Sequence, residues 1–278
     1  MKRIIRIKKG RYVVMDDDGS EVECTARGSL KIKTDGIAVG DFVRVDNGVI
    51  VAVEPRKNRI IRPPVANIDT VAIIAANVPA PDFYLIDKLL ASCRLSGINS
   101  VIAVNKIDLT DETYSAVSDQ YGAVTEIFGL SVKTGYGMNE FSEYLRHKTV
   151  VFTGQSAVGK TSLINAISGR NSKTGELSVK TGRGKQTTTA SEIVRCGDIE
   201  VIDTPGFSAF DLTVDCADIP KGYAEFGKFA DKCRFTDCSH INEPDCEVKN
   251  AVSCGCIDMR RYRRYVEIYK EVKNGKKY

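Results

Sequence analysis

The hydrophobic pattern of the chain changes its period near residue 62. Before this point, short strands of alternating polar and apolar residues, such as 11–15, are separated by turns rich in Gly and Asp, a pattern that predicts a small β-barrel. After it, and as far as residue 212, strand patterns alternate with helical patterns such as 83–95 and 138–147. This alternation predicts a largely parallel sheet with helices on both faces.

The last segment of the chain combines clustered cysteines with a basic helix pattern over residues 260–277. With 278 residues, of which 42% are hydrophobic, the chain can bury a full α/β core and still form two smaller modules. We therefore predict a multidomain protein, with a β-barrel at 1–62, an α/β domain at 63–212 and a helical module at 213–278.

A glycine-rich turn at residues 154–161 joins the predicted strand 149–152 to a predicted helix that begins near Lys160. Its sequence is Gly-x4-Gly-Lys-Thr, a P-loop in which backbone N–H groups and a helix N-terminus point at phosphates. Lys160 would place its charge against the β and γ phosphates, and the Thr161 hydroxyl would ligate Mg²⁺. A turn with only a structural role is the alternative.

A carboxylate is predicted at the end of a neighbouring strand. Asp203 follows the apolar pattern 199–202 and begins the sequence Asp-Thr-Pro-Gly. Open α/β sheets bind their ligands at the carboxyl ends of strands, so Asp203 is expected beside Mg²⁺ and the Gly206 N–H beside the γ-phosphate. Asp-x-Pro-Gly is also a common turn, but its position after a P-loop strengthens the functional interpretation.

Two further motifs indicate guanine recognition. Residues 105–108, Asn-Lys-Ile-Asp, end the predicted strand 100–104, and Asp108 can accept hydrogen bonds from N1 and N2 of guanine, a donor pair that adenine lacks. The next predicted strand, 124–128, leads to the Ser-Val-Lys of residues 131–133, whose backbone is expected to contact guanine O6. Both motifs precede the P-loop, whereas in an ordinary GTPase they follow it. The order predicts a circularly permuted GTPase.

Three cysteines and one histidine near the C-terminus have the spacing Cys-x4-Cys-x-His-x5-Cys. This set suits tetrahedral Zn²⁺, and four protein ligands leave no position for a substrate, so the metal would be structural. Cys254 and Cys256 are interpreted as bystanders, although they could compete as ligands, and reduced thiols without metal are the alternative. The predicted zinc ligands are Cys233, Cys238, His240 and Cys246.

The location of the protein is predicted from what the sequence lacks. No apolar run reaches the roughly twenty residues that span a bilayer, and the charged start has no apolar stretch typical of a secretory signal. The nine cysteines are an odd number, and four are scattered singly, which favours reduced thiols over a disulfide framework. We expect a cytoplasmic monomer that does not contact membranes.

Positive charge is concentrated at the two ends of the chain. Residues 1–62 hold 14 Lys and Arg against 9 Asp and Glu, and residues 213–278 hold 13 against 11, whereas the middle is acidic. A basic barrel and a helix in which arginines alternate with tyrosines suit RNA phosphates and base stacking; solvated charged faces are the alternative. The helix residues concerned are Arg260, Arg261, Tyr262, Arg263, Arg264 and Tyr265.

The order of these motifs resembles that of RsgA, a family of circularly permuted GTPases that depend on the small ribosomal subunit. The similarity covers nearly the whole chain and includes residues 39–41, 56–58 and 182–184 with Thr-Thr-Thr at 187–189. It implies an OB-fold in the barrel and a C-terminal zinc domain. It also implies docking on the 30S subunit and its 16S rRNA during late maturation, with subunit-stimulated hydrolysis of GTP to GDP.

Two residues depart from the family pattern. Gln186 stands where the family usually has histidine, and Ala157 replaces the usual glycine of the P-loop, a mild change if its φ is negative. Phe207 stands where many GTPases have the glutamine that orients water, so intrinsic hydrolysis should be slow. We expect ribosome contact to bring Gln186 to the attacking water and Thr188, or an adjacent threonine, to Mg²⁺.

A second functional hypothesis is an RNA-binding assembly factor that holds GTP as a structural or switching ligand without significant turnover. GTP turnover with and without small subunits would separate the two hypotheses. The predicted catalytic residues are Gln186, Lys160 and Thr188, and the predicted Mg²⁺ ligands are Thr161, Thr188 and Asp203. The predicted GTP contacts are Asn105, Lys106, Asp108, Ser131, Val132, Lys133, Gly154, Gln155, Ser156, Ala157, Val158, Gly159, Lys160, Thr161, Ser162, Asp203 and Gly206.

Overall fold

The computed structural model describes the chain except for residues 1, 9, 17, 29, 31–35, 62, 170–190, 204–214 and 276–278. The described residues form two compact units. The first unit takes its residues from 1–72, 137–153 and 159–207, and the second takes its residues from 73–136, 154–158 and 208–278.

The secondary structure of the described part follows the two hydrophobic periods of the sequence. The strands are β1 (Lys2–Lys8), β2 (Arg11–Met15), β3 (Glu21–Ala26), β4 (Phe42–Asp46), β5 (Val49–Val53), β6 (Arg59–Ile60), β7 (Val65–Ala66), β8 (Thr70–Ala76), β9 (Asn99–Asn105), β10 (Ile127–Gly129), β11 (Thr149–Thr153), β12 (Glu192–Cys196) and β13 (Ile199–Asp203). The α-helices are α1 (Phe83–Leu95), α2 (Glu112–Tyr121), α3 (Met138–Leu145), α4 (Lys160–Ile167), α5 (Gly227–Ala230), α6 (Glu247–Ser253) and α7 (Met259–Gly275).

A closed five-stranded barrel forms the N-terminal part of the first unit. Its strands pair in the order β1-β2-β3-β5-β4, and β4 returns to pair with β1. The β3–β5 pair is parallel and the other pairs are antiparallel. Ile4, Val14, Val43 and Ile50 belong to its buried apolar core. The structure therefore has the predicted OB-like barrel.

The residues that link the barrel to the following chain are held by buried polar contacts. The carboxylate of Asp41 is fully buried and accepts hydrogen bonds from Arg56 Nε at 2.7 Å and Nη2 at 2.8 Å. Asn58 exchanges two hydrogen bonds with the backbone of Ile68, at 2.8 and 2.9 Å. Residues 39–41 and 56–58, which carry part of the family resemblance, therefore serve to fix the end of the barrel.

The sheet of the first unit continues from the α/β part into the barrel. Its strand order is β8-β11-β13-β12-β1, followed by the rest of the barrel. Strand β11 is parallel to β13, and β12 is antiparallel to both β13 and β1. The Arg6–Glu192 and Arg3–Glu200 ion pairs join β1 to the β12–β13 hairpin. The hairpin is therefore bound to the barrel by both backbone and side chains.

The second unit contains the end of β8, the parallel pair β9–β10 and helices α1 and α2, together with the C-terminal residues. Residues 216–222 form a 3₁₀ helix that packs on α1, as does α7. A Cβ atom at Gly222 would lie 2.9 Å from Cβ of Ala91, so this approach requires glycine. Among the described residues, no helix is both long and apolar enough to cross a membrane.

The predicted helix 83–95 is confirmed, whereas other predicted elements differ from the observed ones at their ends. The predicted strand 124–128 is wrong: β10 covers Ile127–Gly129, because the N–H groups of Val124 and Thr125 both donate to Tyr121 O and close a turn. The predicted helix 138–147 ends at Leu145, since His147 has a φ of 58°. Helix α7 begins one residue before the predicted 260 and is described to Gly275.

Candidate functional site

The end of β9 is tied to the P-loop by two side chains. Asn105 is almost fully buried, and its Nδ2 donates to Val158 O at 3.0 Å. Its Oδ1 accepts from Lys106 N at 2.9 Å and Val132 N at 3.4 Å. The Nζ of Lys106 lies 2.9 Å from Ala157 O. These contacts bring together three of the predicted groups: 105–108, 131–133 and 154–158.

The carboxylate predicted to read guanine is oriented by a hydroxyl. Ser131 Oγ donates to Asp108 Oδ1 at 2.7 Å, and Lys133 Nζ lies 3.9 Å from Oδ2. Leu130 N donates to Val104 O at 2.7 Å, so the pairing of β9 and β10 places Asp108 and Ser131 together. Each carboxylate oxygen has two lone pairs, so Asp108 retains acceptor capacity for two neighbouring N–H groups of a base.

Asn77, at the end of β8, was not among the predicted site residues. Its Nδ2 donates to Lys106 O at 3.0 Å and to Thr110 O at 2.8 Å, so one amide supports the loop that carries Asp108. The sequence signal is an Asn directly after the apolar residues 71–76, as Asn105 directly follows the apolar residues 101–104.

The first glycine of the P-loop is required by a close approach of two backbones. Gly154 has a φ of 132°, and a Cβ atom there would lie 2.2 Å from Ile74 O. Any side chain would therefore displace the loop from β8. The next residue, Gln155, accepts a hydrogen bond from Asp82 N through Oε1 at 2.9 Å. Ser156 and Ala157 are exposed, and Val158 is buried.

Ala157 has a φ of +64°, so the condition under which its replacement of glycine would be mild is not met. The left-handed region costs an L-residue about 1–2 kcal/mol, whereas glycine adopts it without a steric penalty. The carbonyl of Ala157 accepts a hydrogen bond from Lys106 in this conformation. The contact with Lys106 therefore accompanies a strained backbone at this point of the loop.

The P-loop continues into α4 of the first unit. Gly159 precedes the helix with a φ of 99°, and its carbonyl accepts the helical hydrogen bond from Leu163 N at 2.9 Å. Lys160 is half-buried, and burial lowers the pKa of its amine. Thr161 is exposed in the first turn, and Ser162 is half-buried. The first backbone N–H groups of a helix lack intrahelical acceptors, which suits them to an anion.

The remaining predicted site residues are only partly covered by the described chain. Asp203 is the last residue of β13, as predicted, but its side chain lies outside the described part. Gln186, Thr188, Gly206 and Phe207 also lie outside the described residues.

The four predicted zinc ligands converge in the second unit. Their candidate ligand atoms all lie within 4.8 Å of one another. Cys233 Sγ is 3.9 Å from Cys246 Sγ, and His240 Nδ1 is 3.6 and 3.4 Å from these two sulfurs. A zinc tetrahedron with Zn–S near 2.3 Å and Zn–N near 2.0 Å places sulfurs about 3.8 Å apart and sulfur and nitrogen about 3.5 Å apart. This group, the Cys3His cluster, therefore fits Zn²⁺.

The chain around the Cys3His cluster is shaped by a carboxylate. Glu243 accepts hydrogen bonds from the backbone N–H groups of Ser239, Ile241 and Asn242 at 2.9 to 3.1 Å. Burial alone would raise the pKa of Glu243, but these bonds and the Ser239 hydroxyl lower it to about 2. Burial lowers the pKa of His240, which favours the neutral imidazole that a metal needs.

The prediction that α7 presents its arginines and tyrosines to RNA is largely wrong. Arg261 is 3% exposed, pairs with Asp87 and donates to Glu225 at 2.7 Å. Arg264 also pairs with Asp87 and donates to Gln120 at 2.9 Å. Tyr265 is fully buried and Tyr262 donates to His240 O at 2.7 Å. The tyrosine-bearing face of α7 packs against the core of the second unit. The neighbouring Arg261 and Arg264 therefore pair with acidic side chains of that unit and are not available to RNA. Arg260 and Arg263 are exposed.

A P-loop, a guanine-type Asn-Lys-x-Asp motif upstream of it and the strand order described above define a circularly permuted GTPase. A family model for the RsgA GTPase matches residues 53–213. The chain is 39% identical to "Small ribosomal subunit biogenesis GTPase RsgA" of Caldanaerobacter subterraneus subsp. tengcongensis over 99% of this chain and 96% of that protein. It is 34% identical to the protein of the same name from Clostridium beijerinckii over 97% and 96%. The chain belongs to the RsgA GTPase family.

Two solved structures share the fold. The crystal structure of YjeQ from Thermotoga maritima superimposes with a TM-score of 0.83 at 32% identity, covering 98% of this chain and 97% of that one. The structure of YloQ, described as a circularly permuted GTPase, gives a TM-score of 0.78 at 27% identity and covers 98% and 94%. The protein is therefore a GTP-hydrolysing enzyme of this fold.

Proposed function

We propose that this GTPase acts in late maturation of the small (30S) ribosomal subunit, and that contact with the subunit stimulates GTP hydrolysis. The names of its relatives support the first part, since they are small ribosomal subunit biogenesis GTPases. The observation that carries the GTP assignment is the set of contacts from Asn105, Lys106 and Ser131 that bind the guanine-type motif to the P-loop and orient Asp108.

We assign the nucleotide roles as follows. Asp108 reads the base, and residues 131–133 contact it through their backbone. Residues 154–162 hold the phosphates, with Lys160 as the charge on the β and γ positions. Mg²⁺, which prefers oxygen ligands, would be held by Thr161, Asp203 and Thr188 or an adjacent threonine, and would stabilise the developing phosphate charge. Gly206 would contact the γ-phosphate.

We assign rRNA contact to the N-terminal barrel, proposed as residues 1–62. Lys8, Arg11, Arg27 and Arg44 are exposed on it, and small barrels of this fold commonly bind oligonucleotides. Binding to 16S rRNA would then depend on phosphate charge and would weaken as salt rises. The GTPase domain is proposed as residues 63–212 and the zinc domain as 213–278, with one structural Zn²⁺ on the Cys3His cluster.

Asp108→Asn should lower GTP affinity by roughly 10²-fold or more, because a buried site that hydrogen-bonds the base discriminates strongly when the pairing is lost. The variant should gain affinity for xanthosine triphosphate, which presents a different donor and acceptor pattern at the same edge. Fluorescent-nucleotide titration measures both. Asp111→Asn is the matched control, since Asp111 is exposed and caps no N–H of α2 with its side chain. An Asp108→Asn variant that keeps full preference for GTP would remove residues 105–108 from the site.

The stimulation is tested by GTP turnover with purified small subunits, with large subunits as the control. We expect slow turnover alone and faster turnover with small subunits only. Gln186→Ala should leave GTP affinity nearly intact and lower stimulated turnover by roughly 10² or more, the scale of a lost catalytic group. Glutamine does not titrate, so stimulated turnover should show no histidine-like transition near the usual His pKa of about 6.5.

Two results would contradict these assignments. Unchanged stimulated turnover in Gln186→Ala would assign the positioning of water to a group supplied by the ribosome. Turnover that small subunits fail to increase would favour the second hypothesis, an RNA-binding assembly factor that holds GTP as a structural or switching ligand.

A further inference from the structure

Two exposed thiols lie side by side in the connection between α6 and α7. Cys254 directly follows α6, and Cys256 precedes the buried Ile257. The two Sγ atoms are 3.1 Å apart. Among the nine cysteines of the chain, these two are the exposed ones. Neither belongs to the Cys3His cluster, so zinc binding does not account for their proximity.

The backbone holds the two thiols in this position. Cys254 N donates to Asn250 O at 3.0 Å, and Cys256 N donates to Ala251 O at 2.9 Å. Between them Gly255 has a φ of 78°, with nothing within 4 Å of a Cβ built on it, so glycine provides the conformation that the turn needs. The turn is therefore fixed at both ends, with the two sulfurs on the same side of it.

The distance between the sulfurs favours bond formation. An S–S bond is about 2.05 Å long, roughly 1 Å shorter than the observed separation, so rotation of the exposed side chains would close the gap. The hydrogen bond between the two thiols and a backbone hydrogen bond lower the pKa of Cys254, while the contact between the thiols raises the pKa of Cys256. A lowered pKa increases the fraction of thiolate, the nucleophilic form of cysteine.

We propose that Cys254 and Cys256 form a dithiol that exchanges with low-molecular-weight disulfides and closes to an intramolecular disulfide. In the first step, one protein thiolate attacks a disulfide RSSR, forms a mixed disulfide and expels RS⁻. In the second, the other protein thiolate attacks the protein sulfur of the mixed disulfide and expels a second RS⁻. The protein loses two electrons and two protons, and RSSR becomes two RSH.

The two cysteines lie between the two helices that contact the Cys3His cluster, so a disulfide there would affect the surroundings of the cluster. Helix α6, which Cys254 follows, has the cluster residue Cys246 as its N-cap. Helix α7, which begins at Met259, donates to the backbone of the cluster through Tyr262. A disulfide between Cys254 and Cys256 would add a covalent constraint to the turn that connects these two helices. The module would then respond to the thiol–disulfide state of its surroundings.

The test uses the full-length protein and oxidised glutathione. After acid quenching, tryptic cleavage at Lys249 and Arg260 releases residues 250–260, whose cysteines are Cys254 and Cys256. We expect this peptide to become two hydrogens lighter, at least ~10-fold faster than glutathione modifies the half-buried single thiol of Cys216. Dithiothreitol should reverse the change.

Variants that lack one of the two cysteines distinguish formation of the intramolecular disulfide from simple modification by glutathione. Cys254→Ser and Cys256→Ser each lack the second thiolate, so both should accumulate a glutathione adduct on residues 250–260 in place of the lighter peptide. Both positions are exposed, and both variants should retain one zinc per chain. A parent peptide that stays reduced, or that carries glutathione on both cysteines, would overturn the proposal. Loss of zinc from either variant would also overturn it, because the residue would then be a metal ligand.

Discussion

Removing the metal from the Cys3His cluster is expected to release residues 231–246 from the C-terminal module while GTP binding persists. The described chain has neither helix nor strand in this segment, so a zinc ion on the cluster would add a major constraint to the hydrogen bonds of Glu243 and Tyr262. Structural zinc contributes about 10–16 kcal/mol of apparent binding free energy in small metal-dependent domains. The parent is expected to hold one zinc per chain, and Cys238→Ser or His240→Ala should lose it and destabilise the module.

Elemental analysis measures the zinc, and trypsin measures the release, since Lys232 and Arg234 lie within the segment. Residues 105–108, proposed to bind guanine, are held by hydrogen bonds that do not involve the cluster, so fluorescent GTP should still bind. Cys216→Ser is the matched control, because Cys216 is half-buried and lies outside the cluster. Zinc retained after both cluster substitutions would show that Cys254 or Cys256 is a ligand.

The nucleotide and metal elements could be predicted from sequence because each requires particular residues at fixed spacing. Gly154 is predictable because only glycine allows the loop to approach β8, where a Cβ would meet Ile74 O at 2.2 Å. The cluster is predictable because three thiols and an imidazole within one short segment reach a common point. In both cases the chemistry is local in sequence, so spacing alone indicates the geometry.

The surroundings of the α7 arginines could not be predicted, because their partners are distant in sequence. Asp87 is 174 residues before Arg261, and nothing in the pattern of either segment indicates that they meet. The contact between the Ala157 carbonyl and Lys106 likewise joins residues that are distant in sequence, 51 positions apart. A residue's type indicates what it can bind, but only the tertiary fold decides whether its partner is solvent, RNA or a buried acid.

Asp87→Ala is expected to destabilise the second unit by about 3–5 kcal/mol, the cost of removing one partner of a buried ion pair. The Asp87 carboxylate is fully buried between Arg261 and Arg264, whose side chains are 4% and 14% exposed. Without it, two guanidinium groups face the ring of Tyr121, whose centroid lies 4.6 Å from the Arg261 guanidinium carbon. Glu225 would remain as the acidic partner of Arg261 alone.

The loss should appear as a lower urea midpoint and as faster hydrogen exchange in α1 and α7, the helices that the network joins. Asp218→Ala is the matched control, because Asp218 pairs with Lys221 at the surface and exposed pairs contribute little. Replacing Arg261 by Met in addition to Asp87→Ala should recover part of the loss, since it removes one uncompensated charge and fills its volume with apolar atoms. Equal effects of Asp87→Ala and Asp218→Ala would mean that packing of the aromatic side chains, and not the ion pairs, holds α7 on α1.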